Sequence, residues 1–189
     1  MAKKTTRKNA AKKTTAKKHA PAKKAAKRPA AKPKPRAAAA APAASATITA
    51  YLCCKGAVGA LDFYKQAFGA LETMRVQGPD GSIGHAQITI EGAPLMLSDE
   101  WPDGGVFSPQ TLGGSAVTVH LRVRDVDAFA KRAVAAGATL ARAIQDEPYG
   151  DRAGTLRDPF GHRWMVATTK REVSKEEMER NFGGAYKVT

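Results

Sequence analysis

Residues 47–69 read TITAYLCCKGAVGALDFYKQAFG, and the change of period inside this stretch decides the fold. Thr47 to Cys54 alternates, which predicts a strand with Ile48, Ala50, Leu52 and Cys54 on one face and Thr49, Tyr51 and Cys53 on the other. Val58, Leu61, Phe63, Tyr64 and Phe68 then recur at helical spacing, and Gly69 ends the helix. Leu71–Gln77, Ile83–Ile90 and Pro94–Ser98 read as three further strands, joined by the turns Gly78-Pro79-Asp80-Gly81 and Glu91-Gly92. The same order returns 68 residues later. Ala116–Val123 alternates, Asp125 is placed to cap a helix carrying Val126, Phe129, Ala133 and Val134, and Gly137 ends it. Thr139–Gln145, Gly154–Arg157 and Arg163–Ala167 follow.

One helix covers one face of a four-stranded half and leaves the other face bare. Two such halves are most economically arranged around a cavity between the bare faces. The expected fold is therefore α+β: two paired βαβββ modules, about residues 47–104 and 115–169, forming a cupped eight-stranded mixed sheet within a domain spanning 47–170. Beyond it, Ser174-Lys175-Glu176-Glu177 has capping-box spacing and predicts a short helix to about Asn181 in a C-terminal extension, 171–189.

The preceding segment is of another kind. Of the 31 Lys and Arg in the 189-residue chain, 15 fall in residues 1–46, which contain no acidic residue, leaving 16 basic against 17 acidic residues in the remainder. The folded part is nearly neutral, so the basic pI does not describe it. Lys, Ala, Thr and Pro dominate residues 3–36, a composition that buries no core and predicts a disordered tail. It resembles the Lys/Ala/Pro tails of linker histones and their bacterial counterparts. The partner expected for residues 1–46 is nucleic acid, held through its phosphates without regard to sequence, and a solubilising tail is the alternative. No apolar run is long enough to span a membrane, and no secretory signal is recognisable. The adjacent thiols Cys53 and Cys54 point to opposite faces and do not pair. A cytoplasmic location, with nucleoid association through the tail, is the expectation.

The segments Leu61–Ala70, Gly84-His85-Ala86, Leu95–Asp99, Ser108–Gly114 and Tyr149–Arg152 through Arg157–His162 together resemble the vicinal oxygen chelate superfamily, with the glyoxalase and bleomycin-resistance fold, most of all its phosphonate-operon-B-like branch. The resemblance implies paired strand-helix-three-strand modules and a homodimer. Enzymes of the superfamily hold a divalent ion through four His or Glu side chains in the cup. Carried onto this sequence, those positions fall at Thr49, at Met96 or Ser98, at Thr118 and at Met165. None is an imidazole or carboxylate, and hydroxyls and thioethers are poor ligands for such ions, so no metal and no cofactor is expected.

Alternation turns Thr118, His120 and Arg122 towards the cup, and His85 and Gln87 with them. Tyr149 and Arg152 flank a strand end near the cavity mouth; Arg152 either clamps an anion or pairs with Asp151 or Asp158. Cys53 is either a nucleophile or an inert lining thiol, His162 reads as structural and Trp164 as core. The connection Asp99–Gly114 either closes over the cup or links the modules through buried anchors. The expected ligand-binding set is Thr49, Tyr51, Cys53, His85, Thr118, His120, Tyr149, Arg152 and Met165, binding a small molecule without metal. A lyase or isomerase of the glyoxalase type, with His85 or His120 as general base and Arg152 holding an anion, is the alternative, and an architectural nucleoid protein is a second.

Overall fold

The computed structural model describes residues 46–189; the predicted basic tail lies outside the described residues apart from its last position. The first module runs β1 (Ala50–Cys54), α1 (Ala57–Phe68), β2 (Leu71–Gln77), β3 (Ile83–Ile90) and β4 (Ala93–Asp99). A 3-10 turn at Pro102–Gly104 and a short helix, α2 (Pro109–Leu112), carry the chain to the second module. That module runs β5 (Thr118–Arg122), α3 (Val126–Ala135), β6 (Thr139–Asp146), β7 (Asp151–Arg157) and β8 (Arg163–Thr169), and α4 (Lys175–Asn181) follows.

Each module forms one four-stranded mixed sheet, ordered β1-β4-β3-β2 and β5-β8-β7-β6. The first strand of each pairs in parallel with the last, and the other pairings are antiparallel. The outline read from sequence holds, with β1 and β5 starting two or three residues late and β7 starting three residues early, at Asp151. No hydrogen-bonded ladder joins β1 to β5, so the eight strands make two sheets rather than one continuous sheet.

The helices begin and end where side-chain chemistry meets their unpaired backbone groups. Gly56, before α1, offers no side-chain cap; instead Asp99 at the end of β4 accepts from the Gly56 and Ala57 amides at 3.1 and 2.6 Å, and from the Ile83 amide at 2.7 Å. Asp125 caps α3 by accepting from the Ala128 amide at 3.0 Å, and Ser174 caps α4 by accepting from that of Glu177 at 3.2 Å. Gly69 closes α1 at φ 67°, a left-handed conformation that glycine adopts without Cβ strain.

Both helices pack on the same side of their sheets and against each other. Phe68 on α1 lies 4.9 Å from Phe129 on α3 and 5.0 Å from Trp164 on β8, ring centre to ring centre. Arg132 of α3 donates to the Ala67 carbonyl at the end of α1 across 2.8 Å. Asp158, almost fully buried, joins the modules: its Oδ2 accepts from the Tyr64 hydroxyl of α1 at 2.7 Å and from the Trp164 indole at 2.9 Å. Its Oδ1 accepts from the Phe160 and His162 amides, each at 2.9 Å. One core therefore serves both modules, and it lies entirely on the helix side. The opposite faces stay open, with Tyr51 54%, Met74 42% and Val76 55% exposed on the first sheet. No helix among the described residues is long and apolar enough to cross a membrane.

Candidate functional site

Register and burial fix what each open face displays. On the first sheet one row crosses all four strands as Tyr51–Met96–Gln87–Met74. Beside it on one side stand Cys53 paired with Ser98 and His85 paired with Val76; on the other, Pro94–Thr89–Leu71. Ile88, Ile90, Leu95 and Leu97 alternate to the core, which confirms the parity. The matching rows of the second sheet are His120–Met165–Thr155–Arg142, Arg122–Ala167–Ala153–Gln145 and Thr118–Arg163–Arg157–Thr139.

The internal repeat sets Met96 and Ser98, the two alternatives that the resemblance implies, in different rows. In the second module the fourth position, Met165, pairs with the residue two beyond the third position Thr118. In the first, the residue two beyond Thr49 is Tyr51, and its β4 partner is Met96; Ser98 lies one row further along. On that register the positions that the resemblance implies are Thr49, Met96, Thr118 and Met165, two hydroxyls and two thioethers. Among the described residues no three His, Cys, Asp or Glu side chains gather as a metal cluster. This donor set does not fit a hard or borderline divalent ion.

Tyr51 and His85 meet on the first face, with the Tyr51 hydroxyl 3.0 Å from His85 Nδ1 and the Gln87 amide nitrogen 3.2 Å from His85 Nε2. Donation from the Gln87 amide leaves Nε2 as acceptor, so the Nδ1 proton is donated to Tyr51 and the phenol proton is free for another acceptor. The Gly84 carbonyl, at 3.5 Å, is a weak one. Cys53 shares this face, half-buried; burial, then the nearby Glu100 and Asp99 charges, push its thiol up, the opposite of an activated nucleophile. On the second face His120 stands exposed beside Met165, and among the described residues it makes no hydrogen bond.

Arg152 does not join them. It pairs with Thr168 on the helix-facing side of β7, donating to both carboxylate oxygens of Asp127 at 2.7 and 2.8 Å and to Asp146 at 3.2 Å. These partners, rather than Asp151 or Asp158, hold its guanidinium at the start of α3. Among the arginines that do reach the open face is Arg142, ion-paired with Glu147 beside Tyr149. Burial, more than any neighbouring charge, pushes the Tyr149 phenol up. Arg142 escapes a reading by alternation because register shifts flank it on β6. The signal available in the sequence is Gly154: a Cβ there would stand 2.9 Å from the Arg142 carbonyl, so only glycine lets the irregular β6 backbone come so close. Arg122 reaches the same face, 3.5 Å from the buried Asp151.

His162 is buried, with Nε2 3.1 Å from the Cys53 carbonyl and 3.7 Å from the Cys54 thiol; burial holds its pKa below the usual imidazole value. Trp164 is core, as its alternation predicts. The connection after β4 is anchored by buried Ser108 and Pro109, not by Trp101, which is 64% exposed. Phe107, Pro109 and Leu112 from this connection, with Tyr51 and Cys53 of β1 and Val117 and Val119 beside them, wall a groove of about 470 Å³.

The model of the Glyoxalase/Bleomycin resistance protein/Dioxygenase superfamily matches residues 48–166. An uncharacterized protein of Mycobacterium tuberculosis is 44% identical over 135 residues, covering 70% of this chain and 79% of its own length. Among solved structures, TioX from Micromonospora sp. ML1 is 28% identical with a TM-score of 0.53, over 66% of this chain and 99% of its own. The structure of an Arabidopsis thaliana gene product is 29% identical with a TM-score of 0.53, also over 66% of this chain and 99% of its own.

Proposed function

Because the chain belongs to the Glyoxalase/Bleomycin resistance protein/Dioxygenase superfamily, yet carries hydroxyls and thioethers at the four metal positions, we propose that it binds a small molecule without a metal. The pocket is built from the two open faces and lined by Thr49, Tyr51, Cys53, His85, Thr118, His120, Tyr149 and Met165, with Met96, Gln87 and Arg142 added. The observation that carries this reading is the Tyr51–His85–Gln87 chain, with Tyr51 exposed and His85 and Gln87 half-buried, facing away from the core beside Met96. Aligned hydrogen-bonding groups on an apolar sheet face are what an organic ligand requires.

The pocket is completed in a homodimer. The helix sides of both modules are spent on one shared core, which leaves Leu71, Met74, Val76 and Tyr51 uncovered within the chain. An uncovered apolar face of this kind is the mark of an interface. The first sheet of one protomer closes over the second sheet of its partner. The basic tail, residues 1–46, adds a non-specific hold on nucleic acid and places the domain in the cytoplasm at the nucleoid.

A thermal-shift screen of metabolites, paired with elemental analysis of protein purified without chelator, tests the main reading. A metabolite that raises the melting point by several degrees, on protein without stoichiometric metal, is the expected result. Stoichiometric zinc, nickel or manganese would overturn it. The tail is tested by comparing DNA retention of the full chain with a chain starting at Thr47. Retention lost with the tail, with a log-log salt slope of about −0.9 per phosphate contact, supports tethering, and equal retention refutes it.

The hydrogen-bonded Tyr51 and His85 also favour a second reading, general acid-base catalysis of a lyase or isomerase type. Turnover of a ligand found in the screen, abolished in Tyr51→Phe, separates an enzyme from a binding protein.

A further inference from the structure

The two open faces come from a repeated module, yet their charge differs in every row. The first face is uncharged along Tyr51–Met96–Gln87–Met74, along Pro94–Thr89–Leu71 and at Cys53, Ser98 and Val76, with His85 its one titratable base. The second carries Arg142 in the row of His120, Arg122 in the next, and both Arg163 and Arg157 in the row of Thr118. Arg122 and Arg142 have acidic neighbours, Asp151 and Glu147. Arg157 and Arg163 are exposed and, among the described residues, form no ion pair.

Arg157 and Arg163 also stand directly opposite each other on β7 and β8. Like charges in that relation weaken a sheet, so the pair is not explained by stability. Leu156 and Trp164, their neighbours in the same register, are fully buried on the helix side, which turns both arginines to the open face. Their row contains Thr118 and adjoins the row of His120 and Met165.

We propose that the second sheet's open face is the anion-binding half of the pocket. Arg157 and Arg163, backed by Arg142, take the charged end of an organic anion, and its apolar body lies along Met96, Met74 and Val76 of the facing sheet. Fixed guanidinium groups, planar and permanently charged, supply the positive charge that a bound ion would otherwise bring. This inference rests on the pocket reading above and adds the class of ligand to it.

The test uses the full-length protein and two fluorescent probes with the same aromatic body: 8-anilinonaphthalene-1-sulfonate, an anion, and N-phenyl-1-naphthylamine, its neutral counterpart. Wild type is expected to bind the sulfonate more tightly. The double variant Arg157→Gln/Arg163→Gln should lose roughly tenfold or more of that affinity, the scale of one charge-assisted hydrogen bond, with the neutral probe unchanged. The tail is identical in both proteins, so the difference reads the sheet. Equal binding of the two probes, untouched by the substitutions, would overturn the anion assignment and leave the pocket standing. Failure of both probes to bind at all would overturn the pocket and this inference with it. If the substitutions weakened retention of a DNA duplex while sparing the sulfonate, the arginines would belong to a polyanion surface and the proposal would be wrong.

Discussion

Replacing Asp158 by Asn tests whether one buried carboxylate holds the two modules in register. Oδ1 accepts two backbone amides, from Phe160 and His162, and Oδ2 accepts the Tyr64 hydroxyl and the Trp164 indole. The new amide nitrogen cannot face the two backbone donors, so it takes the Oδ2 side. Tyr64 then turns its oxygen to accept, and the buried Trp164 N–H is left without a partner. One orphaned buried donor costs about 1–3 kcal/mol, and the remaining bonds weaken because their acceptor is no longer charged. Relief from burying that charge offsets part of this, for a net loss of about 2–3 kcal/mol. For a domain of this size that lowers Tm by roughly 6–9 °C. Urea unfolding followed by far-UV circular dichroism gives the number, with Asp80→Asn, at an exposed turn against Ser82, as a control expected to change little. A loss below about 1 kcal/mol would refute the claim that Asp158 is a stabilising hub.

Three further outcomes follow from the same contacts. Glu72 accepts from Arg75 and contacts Lys65, which hold its carboxyl down at about 2 against an ordinary 4.5. Its folded pKa is depressed, so its contribution is present above pH 4.5 and lost as pH falls towards 2. Glu72→Gln should flatten that limb of the stability-pH curve by about 1 kcal/mol or less, as expected of a partly solvated cluster. His162 is held neutral by burial, so its contribution is full above pH 6.5 and declines as pH falls below that value; His162→Asn should therefore narrow the gap between urea midpoints measured at neutral and mildly acid pH. Met74→Glu/Val76→Glu places carboxylates on the apolar open face, and, on the homodimer proposed above, sedimentation velocity should show a dimeric parent chain and a monomeric variant. An unchanged sedimentation coefficient would count against that face as the interface.

The repeat, the strand and helix order and the face parity of β1, β3, β5 and β8 were legible because each module alternates cleanly between core and open residues. Alternation turns Tyr51, His85 and His120 to the open face, as the register has them, while Met165 is located by its distance from Asp158-Pro159-Phe160-Gly161. Arg152 was misplaced because a residue next to the strand end was read from its position along the chain, whereas its face is set by the ladder to Thr168. Arg142 was missed for the complementary reason, since register shifts on β6 break the period-two pattern from which a face is inferred. The separation into two sheets was not legible either. Sequence periodicity reports which face of a strand is dry, but not whether the free edges of β1 and β5 meet.

That packing has a consequence for how the duplicated architecture behaves as a material. Tyr64 and Phe68 are half of an aromatic cluster whose other half, Phe129 and Trp164, is encoded more than sixty residues away. Each repeat buries apolar residues of its own, but the aromatic cluster is complete only when both are present. Within one chain the two copies therefore share what they hide and differ in what they display outward.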